Sequence, residues 1–253
     1  MATWSTRRKY GYFFIFVVAL IAAIGLPSFF IFYRAPSCAD GIQNQGERGI
    51  DCGGPCVRLC PADFAAPRVL WSYSVKIVPG VYNALAYVQN PNPNVKVDSL
   101  PYEFKLYDSQ GLLVSSRQGV AHVPAGQKFA VFEGGIMTGN RVPVRTTFEF
   151  SGTPDWTPGQ MLTKVRAENI NLTEGESPRA EVSIKNYSPS DSFSNIDAFI
   201  ILYDKTDNRV TFSKTLIESI GPGETQTLTY TWPEAFPTKI IRSEVLFVPH
   251  PNQ

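Results

Sequence analysis

One short stretch of this chain gathers most of its potential chemistry: four cysteines interleaved with four hard oxygen donors. Cys38, Cys52, Cys56 and Cys60 fall within 23 residues, and Asp40, Asn44, Glu47 and Asp51 lie between them. An even number of cysteines in a Gly-rich segment too small for a core of its own reads as two disulfides, with three pairings open. Zinc is the rival for the sulfurs, but structural zinc sites favour Cys knuckles well separated in sequence, and exported thiolates would be oxidised. Calcium is the rival for the oxygens, which recur at short intervals but not at the spacing of an EF-hand loop. The expected role of Asp40, Asn44, Glu47 and Asp51 is therefore to cap and turn a disulfide-stapled stalk, with calcium as the alternative and no other cofactor.

Catalysis finds little support elsewhere. A Ser-His or Cys-His mechanism needs a base, and the two histidines are His122, near a predicted turn, and His250, in the C-terminal tail. His122 is expected to face solvent. The sequence carries no Gly-x-Ser-x-Gly elbow, phosphate loop or His-Glu-x-x-His helix, and Glu174 and Glu176 fall in a polar loop. A non-enzyme is expected. Trp71, Trp156 and Trp232 could form platforms for a glycan or a partner's side chain, with core packing as the competing role. Trp156, in the linker at residues 153–159, would either pack or wedge between domains. A net charge of +1 with scattered Lys and Arg lacks the electrostatic footprint of a nucleic-acid binder. Asn171-Leu-Thr173 is a glycosylation sequon, meaningful where the host glycosylates exported proteins.

The segment before the cysteines decides which compartment they occupy. Residues 10–33 carry no charge; at about 1.5 Å per residue they reach about 36 Å as a helix, enough for a hydrocarbon core of about 30 Å. Arg7, Arg8 and Lys9 precede the run and only Arg34 follows closely, so residues 1–9 are expected to be a cytoplasmic basic tail and the bulk of the chain extracytoplasmic. The run is too long for the apolar region of a cleaved signal peptide. Lipidation at Cys38 would need an apolar residue three positions earlier, where Ala35 stands with Arg34 before it. An uncleaved single-pass anchor is the expectation.

After the stalk at residues 38–60 and a Pro/Ala-rich linker at 61–67, the chain says the same thing twice. Residues 84–90 and 104–108 recur 96 positions later as 180–186 and 200–204. At an offset of 97, residues 124–126 match 221–223, Arg145 matches Arg242 and Phe150 matches Phe247. An offset held this long points to two homologous domains, at residues 68–152 and 160–249. Their period is that of strands: Ala180, Val182 and Ile184 alternate with Glu181, Ser183 and Lys185, one face packed and one wet. Phe104 with Leu106, and Ile200 with Leu202, keep this alternation, and Asp108 and Asp204 open turns. Six or seven strands per unit make an all-β fold of two small sandwiches.

Two resemblances refine this. The stretch Cys38 to Cys56 resembles a short bacterial cell-surface motif, Cys-x-Asp-Gly-x-x-Asn-x-x-Glu-x-x-x-Asp-Cys-Gly-Gly-x-Cys, found in exported proteins of varied make-up. Phe104, Leu106, Tyr107 and Asp108 resemble the signature of the FxLYD family, small immunoglobulin-like domains of exported bacterial and archaeal proteins; Ile200, Leu202, Tyr203 and Asp204 match it with Ile in place of Phe. The resemblance covers about two thirds of the chain and implies two tandem immunoglobulin-like β-sandwiches and an exported location, with no catalytic residue to carry over. The expected function is a membrane-anchored structural or interaction protein. A subunit of a membrane or envelope complex and a glycan-binding surface module are the alternatives.

Overall fold

The computed structural model describes residues 4–33 and 35–250. Arg34, one of the charges used to orient the anchor, lies outside the described residues. By contact the chain divides into two compact units, Met1–Val57 and Arg58–Gln253.

The first unit holds helix α1 (Trp4–Phe32) and most of the cysteine module. The helix begins earlier than the apolar run because residues 4–9 contain no breaker, so Arg7, Arg8 and Lys9 are helical too. Pro27 sits within it, and the helix continues to Phe32. The stretch Arg7–Phe29 is long and apolar enough to cross a membrane, with a mean hydropathy of 2.3.

The second unit is all β after a 3-10 turn at Pro61–Asp63. Its first half contains β1 (Arg68–Val78), β2 (Val81–Gln89), β3 (Val95–Tyr107), β4 (Leu113–Val123), β5 (Lys128–Met137) and β6 (Arg145–Phe150). The two-residue β7 (Thr157–Pro158) pairs with the start of β3. The second half contains β8 (Val165–Thr173), β9 (Arg179–Asn186), β10 (Phe193–Tyr203), β11 (Arg209–Ile220), β12 (Thr225–Thr231) and β13 (Arg242–Pro249). All pairings are antiparallel. The sheets are β1-β2-β5 and β4-β3-β6 in the first half, and β12-β9-β8 and β11-β10-β13 in the second. First, second and fifth strands thus make one sheet and third, fourth and sixth the other, in both halves.

Inside each sandwich the alternation expected from sequence is visible. Ala180, Val182 and Ile184 are buried while Glu181, Ser183 and Lys185 are not. They face Ala198, Ile200 and Leu202 of the opposite sheet in one apolar cluster. The outer faces obey a different rule. In β10 every residue from 198 to 203 is buried, and in β2 every residue from 84 to 88. A strand buried on both faces needs a partner on each. Here the second partner is the other sandwich: Phe199, Ile201, Tyr203, Phe212 and Val248 share one apolar cluster with Leu85, Tyr87 and Ala130 of the first half. Phe132 meets Phe199 and Phe212 at ring-centroid distances of 6.4 and 6.2 Å. Sheet β1-β2-β5 therefore packs on sheet β11-β10-β13, giving four layers in place of two separate beads.

Positions 96 residues apart show why the stack stops there. Ninety-six positions after Leu85 and Tyr87 stand Glu181 and Ser183, and the same distance before Phe199 and Ile201 stand Glu103 and Lys105. Positions that are apolar where the sandwiches meet are polar on the two outermost faces, where Lys105 is instead paired with Glu103 at 2.9 Å and Glu149 at 2.6 Å. A polar outer face ends a stack that an apolar one would extend.

Candidate functional site

The cysteine module is closed by backbone as much as by sulfur. Cys38 is bonded to Cys56, and Cys52 and Cys60 are disulfide-bonded as well, so no free thiol remains among the described residues. Asp51 accepts the amide protons of Asp40 at 2.9 Å and Gly41 at 3.0 Å. Asp40 accepts those of Ser37 and Ile42 and the side-chain amide of Asn44. The Asn44 amide first, then the two backbone donors, hold its carboxyl below the usual range. Glu47, 6% exposed, accepts the amides of Asn44 and Asp51 through Oε2, and its Oε1 lies 3.0 Å from the Cys56 sulfur. Glu47 and the sulfurs of Cys38 and Cys56 lie close enough to suggest a ligand set. Both sulfurs are bonded to each other, however, and offer a cation no thiolate.

The signature residues carry structure. Phe104, Leu106, Ile200 and Leu202 are fully buried. Tyr107 points the other way, beneath the Arg145 guanidinium at 4.4 Å. Asp108 Oδ1 accepts the amides of Gln110 and Leu112, and Asp204 Oδ1 those of Thr206 and Asn208. Both carboxyls sit below the usual range: Arg141 is the main cause at Asp108, the Thr206 hydroxyl at Asp204. Two asparagines 96 positions apart make matching hydrogen bonds. Asn90, buried at the end of β2, donates to the carbonyls of Val95 and Pro124 and accepts from the Asn92 amide. Asn186, 96 positions on, donates to those of Asp191 and Gly221 and accepts from the Ser188 amide. Asn was visible in both copies of the repeated segment, and its role as a buried clamp between loops was the part not read.

His122 departs from expectation in orientation. It lies near the end of β4, two residues before Pro124 and the turn that follows, but its side chain is 10% exposed, so it does not face solvent. Its Nδ1 is 3.5 Å from Asp98 Oδ1, and His250 Nε2 is 3.0 Å from Asp197 Oδ2. Both histidines line two adjoining clefts, about 540 and 400 Å³, whose walls come from both sandwiches. Among the described residues no serine, threonine or cysteine side chain is hydrogen-bonded to either ring.

The tryptophans are engaged. Trp71 stacks on Tyr87 at 5.2 Å with the Arg209 guanidinium 5.0 Å from its ring, on the face turned to the second sandwich. Trp156 and Trp232 are 3% and 6% exposed, packed on Phe64 and Phe236. Trp156 precedes the strand that pairs with β3 and belongs to the cluster of the first sandwich. None of the three offers a free platform at the surface. Asn171 is exposed on β8.

No protein-family model and no curated protein matches the chain. Among solved structures it is similar to a red sea bream transglutaminase, at 13% identity and a TM-score of 0.24, over 72% of this chain and 29% of that one. It is also similar to a Parabacteroides merdae β-glucuronidase, at 13% identity and a TM-score of 0.21, over 69% of this chain and 28% of that one. The chain spans less than a third of either protein.

Proposed function

We propose that this is a non-enzymatic, membrane-anchored extracytoplasmic protein that displays two FxLYD-type immunoglobulin-like domains as one rigid body. The observation that carries the reading is the order of parts: an apolar helix led by Arg7, Arg8 and Lys9, then a module whose cysteines are all oxidised. Positive residues stay cytoplasmic and disulfides persist outside, so charge and redox state point the same way. Shared strand order, the paired Asp turns and the paired Asn clamps support descent of the two sandwiches from one repeated unit.

A protein partner is the favoured ligand. Leu112, Leu113, Val142 and Val144 are exposed at one end of the first sandwich, where Arg141 donates to the Leu113 carbonyl and holds the two loops side by side. Clustered exposed apolar side chains mark interaction sites. Crosslinking in intact cells followed by mass spectrometry tests this: the parent protein should capture a stoichiometric partner that a Leu112→Ser/Val144→Ser variant does not. Equal capture by both would remove this surface from the account.

A further inference from the structure

We propose that the cleft between the sandwiches is an acid-sensitive latch, in which protonation of His122 drives its two walls apart. The chain has two histidines, and the fold brings both to this cleft from positions far apart in sequence, one in β4 and one just after β13. Each sits beside a carboxylate that is already neutralised. Asp98 is paired with Lys96 at 2.7 Å on the first sandwich, and Asp197 with Lys214 at 2.7 Å on the second. The adjoining cleft adds Lys164 and Asp191, which also offset each other, while Tyr102 donates its hydroxyl to Glu133. Lys96, Lys164 and Lys214 thus offset Asp98, Asp191 and Asp197, with Glu133 the one carboxylate beyond these pairs. Protonating His122 puts a further positive charge between carboxylates already engaged by lysines, in a space walled by Phe132, Phe199 and Val248.

The His122 side chain is 10% exposed, and its Nδ1 is buried with no hydrogen-bond partner. Burial foremost, with help from Lys96 and His250, pushes its pKa down to about 4 against an ordinary 6.5, and Asp98 only partly opposes this. A base whose pKa is depressed in the closed form supports that form fully above pH 6.5, and the support is lost progressively as pH falls towards 4. The ratio of open to closed cleft thereby shifts by on the order of 100-fold across that window. The aromatic packing around Tyr87 and Leu85 carries no histidine, so opening is confined to the end that holds β4 and residues 248–250.

Hydrogen exchange with mass spectrometry on the full-length protein in detergent, from pH 7.5 to 4.5, tests the latch. Exchange is corrected for intrinsic rate, with β9 as internal reference. Peptides covering β4 and β13 should lose at least tenfold in protection relative to β9, and His122→Gln/His250→Gln should abolish the difference. Uniform protection across the range, or the same selective loss in the double variant, overturns the proposal. If His122→Gln fails to fold, as loss of protection in β9 at pH 7.5 would reveal, His250→Gln alone suffices. Its half-exposed side chain leaves packing intact, and because His250 helps to hold the His122 pKa down, the variant should displace the selective loss to higher pH; an unmoved transition counts against the latch.

Discussion

The Tyr87 hydroxyl of β2 donates a hydrogen bond to the Glu244 carboxylate of β13, 157 positions away and on the other sandwich. Tyr203 donates to the second oxygen of the same carboxylate at 3.1 Å, and its own ring lies under the Arg242 guanidinium at 3.6 Å. Burial first, then Glu244, pushes the Tyr203 hydroxyl up to about 12 and Tyr87 higher still, so both remain donors throughout the working range. Tyr87→Phe removes one donor to a part-buried carboxylate. It should cost about 1.5 to 3 kcal/mol in denaturant unfolding, with the loss concentrated at the seam between sandwiches. An unchanged midpoint would show that the bond contributes nothing.

The apolar seam itself invites a harsher change. Ile201 stands where the first sandwich has Lys105, and Ile201→Lys installs that charge in the seam. A buried unpaired ammonium is strongly destabilising, by several kcal/mol, whereas Lys105→Ile on the outer face should leave folding intact and promote self-association. Sedimentation velocity and thermal unfolding of the two variants separate these outcomes. Equal tolerance of both would mean the sandwiches do not depend on their contact.

How much of this was legible is clearest in β10. The run Ala198 to Tyr203 is apolar at every position, the pattern of a strand covered on both faces, yet Ile200 and Leu202 alone satisfy a one-sided alternation and hide the rest. Comparing copies position by position, Glu103 against Phe199 and Ser183 against Tyr87, would have exposed the seam from sequence. The convergence of His122 and His250 was not readable, since it depends on how two sandwiches dock. Helix, oxidised cysteines and all-β body followed from local pattern, because each rests on composition within a short window.

Asn90 and Asn186 offer matched tests of the repeat. Asn90→Ala orphans the carbonyls of Val95 and Pro124 and should destabilise by about 1 to 3 kcal/mol, and Asn186→Ala should do the same through Asp191 and Gly221. Urea unfolding of each variant checks whether the costs agree. A large effect at one site and none at the other would deny the two clamps a common role.

Acid should loosen the Asp turns. The carboxyls of Asp108 and Asp204 are held below their ordinary value in the folded protein, so their contribution is present above the ordinary carboxylate range and lost as pH falls through the lowered one. Asp108→Asn, which cannot carry the charge that pairs with Arg141, should unfold with a shallower dependence on pH below the ordinary carboxylate value than the parent. Parallel acid titrations followed by circular dichroism would show it; superimposable curves would assign the acid response elsewhere.

The central claim, an anchor with everything beyond it outside the cytoplasm, is tested most directly by protease protection. The full chain would carry an epitope tag at each end and be digested from outside on intact cells, with non-reducing electrophoresis of the undigested protein alongside. The account predicts that the C-terminal tag and the sandwiches are lost, that the N-terminal tag survives until the membrane is opened, and that no cysteine is free. Survival of the C-terminal tag on intact cells, together with free thiols at Cys38 and Cys56, would contradict it.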